Sequence, residues 1–338
     1  MSDPHLALIW FAIVCFEVGL YVVLDGADLG LGMLSLLPHR EEDRSLIMHT
    51  VGPIWDANET WLVIAAGTLF GAFPEAYAII LNALYLPIMV MLFGLILRAA
   101  SFEFHAYSER KERWSRLFGF GSLLAVAGQG AVLGGILSGI TVSNHMFGGG
   151  PWSWATPLTV LITLGIVMGY AVVGYAYLLK KTAFEFREET FERVLVIAVV
   201  TVALLIGATL LLKHENYLFL TRWEHGVARP ILLTVAAIMG ALGVVLGYLV
   251  IAKKGVRALH PLALGILACG MFGLLVGVFP YIIPPALTIY DAAASHATLT
   301  FMLWGIGPLL PIVLAYNIYL YRVFGRDLHG ARGETYDI

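Results

Sequence analysis

The chain has 338 residues, 59% of them hydrophobic and 13% charged, with a formal net charge of -3 and a mean hydropathy of +0.85. That balance lies outside the soluble globular range and puts the chain in a bilayer; no nucleic-acid partner is expected. Cys15 and Cys269 stand alone with no paired spacing, which argues against disulfides, zinc, iron–sulfur or attached haem.

A spanning helix needs about 20 mainly apolar residues. Nine segments qualify in chain order: 6–27, 54–73, 76–98, 117–140, 156–179, 194–212, 231–252, 262–284 and 298–321. The first has no basic leader and no small-residue cleavage site, so it reads as a retained helix. The second and third are separated only by Pro74 and Glu75, which predicts a tight helical hairpin. With the N-terminus outside and the C-terminus in the cytoplasm, every Lys and Arg falls on the inside except Lys213, Arg222 and Arg229. That asymmetry is what cytoplasmic loops show. No soluble domain or linker interrupts the pattern, so residues 1–338 form one transmembrane domain. GxxxG spacings such as Gly26/Gly30, Gly130/Gly134 and Gly243/Gly247 predict close helix contacts.

A b-type cytochrome needs facing His or Met ligands inside its spans. Here the histidines fall in loops, tails or span margins (His39, His49, His105, His214, His296 and His329 among them), so this chain is not expected to bind haem alone. The "GLGML" and "GGGP" runs lack the strand-and-helix setting of a phosphate loop.

Ionisable groups within a span are costly and point to function. Glu17, Asp25 and Asp28 share one face of the first helix with Tyr21 between them, and "GPIWDANETWL" brings Asp56 and Glu59 one turn apart into the second span. Together the five acids outline a path for protons taken up from the cytoplasm. Plainer roles compete. Asp28 and Glu59 also fit interfacial acids, Asp56 with Asn58 a helix cap, Trp55 and Trp61 interfacial anchors, Arg98 a snorkelling side chain, and Glu103 a solvated loop. Glu17 sits where nothing needs a cap, which favours a protonatable role.

The segments "LDGADLGLG", "GPIWDANETWLV", "LILRAASFEFH" and "FPYIIPPALTIYDAAAS" resemble subunit II of the cytochrome bd ubiquinol oxidase family over essentially the whole chain, closest to its cyanide-insensitive branch. The resemblance implies an all-α fold of two four-helix bundles, residues 1–140 and 150–290, plus a peripheral last helix at 298–321. It implies a haem-bearing subunit I that carries haem b, haem d and the quinol site, while this subunit carries none. It also implies a bacterial cytoplasmic membrane, quinol as the substrate of the complex, proton use without pumping, and room for small single-span subunits and a bound lipid or quinone. The family's proton route maps onto Asp25, Asp28 and Asp56. Glu17 lies outside the family motif, as do Ala27 and Ala57, where an aromatic residue and Gly are usual, and His105, at a commonly basic position. Arg98 and Glu103 belong to the matched third-span ending. Asp291 and Ser295 match a segment near the outer face, where packing or contact with subunit I is expected. A proton-coupled secondary transporter would also place acids in spans, but it calls for inverted repeats and broken helices near the midplane.

Overall fold

A computed structural model describes residues 3–37, 41–181, 187–215 and 217–324. His39 and His329, named above, lie outside the described residues, as do Arg40, Arg326 and Arg332 and the side chains of Lys181, Arg187, Lys213 and His214.

Helix α1 (Pro4–Leu34) begins with Pro4 in its first turn and Asp3 as cap, whose Oδ1 accepts from the His5 amide at 2.8 Å. It does not stop at residue 27: it continues for 31 residues, so Asp25 and Asp28 lie within the helix and not at its end. The Gly26/Gly30 spacing marks a close contact, as predicted. A Cβ on Gly30 would overlap the carbonyl oxygen of Tyr170, and one on Gly174 would come within 2.6 Å of the Gly30 backbone. Close backbone packing of this kind outweighs the weak helix preference of glycine.

After α1 comes α2 (Glu41–Val51), a short helix that hydropathy did not predict because one side of it is charged. Its apolar side, Ile47, Met48 and Val51, is buried with Leu31, Phe118 and Tyr177. Helix α3 (Trp55–Ala72) is the second predicted span. The tight hairpin expected at Pro74 is absent. Phe73, at φ −134° and ψ 61°, redirects the chain into α4 (Pro74–Ala83), and α5 (Tyr85–Tyr107) carries the third span. Helix α4 packs at the end of the molecule away from α2, where Glu75 meets His145 at 2.9 Å. His145 lies in the turn between β1 (Val142–Ser143) and β2 (Met146–Phe147), an antiparallel pair that follows α6 (Lys111–Leu137).

Helices α7 (Pro157–Lys181), α8 (Arg187–Glu215), the short α9 (Tyr217–Glu224), α10 (Ala228–Ile251) and α11 (Val256–Val278) form the next group. Helix α11 ends six residues before the predicted limit of 284, because a second hairpin, β3 (Tyr281–Ile283) with β4 (Leu287–Thr288), takes over the chain. Helix α12 (Ile289–Ala292) leads into α13 (His296–Phe324), the last predicted span.

Helix α1 is central: it packs on α3, α6 and α7 and touches α11 and α13. Helix α5 lies on α6, α7 joins α6 to α8 and α11, α10 lies on α11, and α13 rests on α3. Among the described residues eight helices are long and apolar enough to cross a membrane. With α3, whose first turns hold Asp56, Asn58 and Glu59, the number of spans is about nine, as predicted.

Candidate functional site

The acids of α1 meet α3 and α5 at the end of the bundle that also carries α2. Arg98, in the second half of α5, is fully buried. Its Nη1 donates to Asp25 Oδ1 at 2.7 Å and its Nη2 to Glu59 Oε2 at 2.8 Å. Asp25 is fully buried and Glu59 retains 21% exposure, so the guanidinium bridges an interior carboxylate to one within reach of solvent. A paired guanidinium is the usual way to keep such a carboxylate inside a protein. Arg98 therefore does not snorkel. Two or more acids on facing helices with no cation between them were the signal that could have assigned it.

Asp28 lies on the same face of α1, and its Oδ2 accepts from Asn58 Nδ2 at 2.7 Å. That amide also donates to the Tyr321 hydroxyl at 2.9 Å, which brings α13 into the site, and Asn317 Nδ2 donates to the Ala57 carbonyl at 3.3 Å. Tyr321 and Asn317 were missed because they read as parts of an ordinary last span; a buried asparagine there was the available clue. Asn58 is not a helix cap, since α3 starts at Trp55 behind Ile54 and has no side-chain cap.

Trp55 roofs the cluster. Its ring stacks on Phe102 at 5.0 Å with 9° between planes and lies 5.8 Å from the Arg98 guanidinium carbon. Phe102 in turn meets Phe118 edge to face. Trp61 is fully buried and is no interfacial anchor.

Of the remaining predicted residues, Asp56 is at the same end but exposed, on the side of α3 shared by Val63, Gly67 and Phe70. Glu103 is exposed on α5. Glu17 is deeper and separate from the cluster, fully buried, with Oε1 accepting from Thr68 Oγ1 at 3.0 Å. Asp291 and Ser295 lie at the opposite end, where Asp291 pairs with Thr288 and Ser295 with Thr298. His105 is not in a loop. It is buried on the last turns of α5, with Nε2 3.4 Å from Glu41. Glu41 also accepts from Ser115 at 2.7 Å and Ser45 at 3.0 Å, and Arg44 lies 3.5 Å from Glu112. Burial pushes the Glu41 carboxyl up, but hydrogen bonds from Ser115, Ser45 and His105 outweigh it and hold the group below the usual carboxylate value.

Among the described residues no cluster of three or more His, Cys, Asp or Glu is arranged to hold a metal. The chemistry on offer is that of proton-exchanging groups: two carboxyls paired with one guanidinium and a third, Asp28, bonded to Asn58, in a seam closed by aromatic rings.

Fold and site together define a multi-pass helical membrane protein with an ionic cluster built into its interior. The profile of cytochrome bd terminal oxidase subunit II matches residues 6–324, and the chain belongs to that family. It is 28% identical to cytochrome bd-I ubiquinol oxidase subunit 2 of Escherichia coli strain K12, over 95% of each chain, and 25% identical to cytochrome bd ubiquinol oxidase subunit 2 of Bacillus subtilis strain 168, over 97% of this chain and 98% of the other. The fold is similar to a chain in the structure of bd oxidase from Geobacillus thermodenitrificans, with a TM-score of 0.77 at 19% identity, covering 95% and 98% of the two chains.

Proposed function

We propose that this subunit supplies protons taken up from the cytoplasm to a haem-bearing subunit I, and supports that subunit's assembly, in a bd-type oxidase that reduces oxygen to water with electrons from quinol. The observation that carries the reading is the buried Arg98 held between Asp25 and Glu59, with Asp28 one turn further along α1. A guanidinium shared by two carboxyls, with a third one turn away, lets a proton be gained or lost without breaking the cluster, and the exposures grade inward from Asp56 through Glu59 to Asp25. Asp56, Glu59, Asp28 and Asp25 form the uptake path, and Trp55 and Asn58 hold it in shape. Glu17 is a further protonatable station.

In this reading haem b and haem d belong to subunit I, and quinol is a substrate of the complex. The chain is one transmembrane unit of the bacterial inner membrane, N-terminus outside and C-terminus cytoplasmic, with residues 1–140 and 150–290 as its bundles and the last span at the periphery. Beyond Asp56, the exposed faces of α3 and α13 are apolar and suit contact with subunit I. A shallow apolar groove between α10 and α11, lined by Ile231, Val235, Cys269 and Phe272, suits a lipid or isoprenoid tail.

The test is Asp25→Asn in the intact complex. The expected outcome is normal haem content and a quinol-to-oxygen turnover lower by about 10²-fold, the scale of a lost proton-transfer group. Unchanged turnover with normal assembly removes the cluster from proton supply. Purification of the tagged chain without a second multispan subunit overturns the assembly role.

A further inference from the structure

Four buried polar atoms lack a hydrogen-bond partner among the described residues along a single seam: Arg98 Nε, Asp25 Oδ2, Trp61 Nε1 and Glu17 Oε2. Helices α1 and α3 run antiparallel there, pairing Asp28 with Asn58 and Glu17 with Thr68. That register places the Trp61 backbone near the level of Asp25, with its ring reaching toward the Glu17 end to meet Phe16 edge to face at 6.0 Å, and leaves Tyr21 between Asp25 and Glu17. Tyr21 is buried, lies one turn from Asp25 on the same face of α1, and takes a hydrogen bond from Gln129 of α6. With Gln129 donating to its oxygen, the Tyr21 hydroxyl proton is free to point along the seam. Buried polar atoms are almost always satisfied, and where protein partners are missing internal water takes their place.

We infer that a file of internal water runs along the α1–α3 seam from Asp25 to Glu17, with the Tyr21 hydroxyl as its protein link. This rests on the reading of the Asp25 cluster as a proton acceptor and extends it about 12 Å deeper, the rise of eight helical residues. Each transfer forms one O–H bond and breaks another, so a proton accepted at Asp25 emerges at Glu17 with no other reactant. Gln129 and Thr68 act as positioning residues, fixing the Tyr21 hydroxyl and one Glu17 oxygen so that the other oxygen faces the water.

The experiment uses the intact oxidase complex. A cryo-EM map that resolves ordered water shows density within hydrogen-bonding distance of Glu17 Oε2, Trp61 Nε1 and Asp25 Oδ2; a dry seam overturns the inference. Tyr21→Phe and Glu17→Gln, both isosteric, leave haem content intact, lower turnover about tenfold and raise the solvent deuterium isotope effect, which a merely structural role would not do. If Asp25→Asn is slow while both of these run at full rate, the deeper file is refuted and the cluster stands. If Asp25→Asn itself runs at full rate, both fail.

Discussion

Helices α1, α3, α5 and α6 on one side, and α8, α10 and α11 on the other, all read as membrane spans in sequence but are built on different terms. In the first group polar side chains reach across helices: Arg98 to Asp25 and Glu59, Asn58 to Asp28, Thr68 to Glu17, Gln129 to Tyr21. In the second, Thr201 and Thr209 of α8 and Thr234 of α10 return their hydroxyls to carbonyls one turn back on their own helices. Glycines divide the same way. Gly30 and Gly174, and Gly94 and Gly121, bring backbones into contact, whereas Gly240, Gly243 and Gly247 of α10 have nothing within 4 Å. Where the interior is polar, helices are locked to one another; where it is not, α10 offers its glycines and Val244 and Tyr248 outward. Reading both groups simply as spans therefore conceals a specific half and a lipid-like half.

The sharpest way to break this contrast is Arg98→Met. It strands Asp25 without its cation in the interior, a change that costs about 3–5 kcal/mol. The expected result is loss of the folded subunit from membranes, read as the amount of assembled complex and its thermal midpoint. Next in size is Gly30→Ala. Its Cβ would collide with the backbone of α7, and such overpacking costs about 1–3 kcal/mol. Gly243→Ala, in the same GxxxG spacing on α10, meets open space and should leave the midpoint unchanged or slightly raised, by at most about 1 kcal/mol from helix preference. Equal losses at both positions would erase the distinction between the halves.

The smallest effect concerns α2. Glu41 is held below its ordinary value of 4.5, so its ionised form favours the folded state at pH above about 4.5. That contribution disappears as pH falls through the lowered value. Amide hydrogen exchange across 41–51 should accelerate on acidification in that window, and Ser115→Ala should move the onset to higher pH by removing one of the bonds that hold Glu41 down. Exchange that is flat with pH would mean α2 is held by its apolar side alone.

Spans were legible because about 20 apolar residues in a row have few alternatives in lipid. Less legible was anything set by contact between spans. The end of α1 was placed at residue 27, where the apolar run gives way to acids and glycines; that the helix continues is set by α7 and α6 packed against Gly30 and Gly32. Helix α2 escaped because a half-charged helix has no hydropathy peak, and α4 because the backbone at Phe73 decides where the chain goes. In the site, the acids could be named from their cost alone. Tyr321 and Gln129 could not, since each looks ordinary until its neighbour on another helix is known, and Arg98, though named, read as a snorkelling side chain.

The unbroken course of α1 has one more consequence. Because a single rod carries Glu17, Tyr21, Asp25 and Asp28, the vertical intervals between these groups are set by the helical repeat, at about 1.5 Å per residue. No shift of α3, α5 or α13 can stretch or shorten them. Such shifts can only change which of the four has a companion at a given moment. Helix α1 is thus the fixed rail of the subunit, and any gating has to be performed by the helices that slide along it.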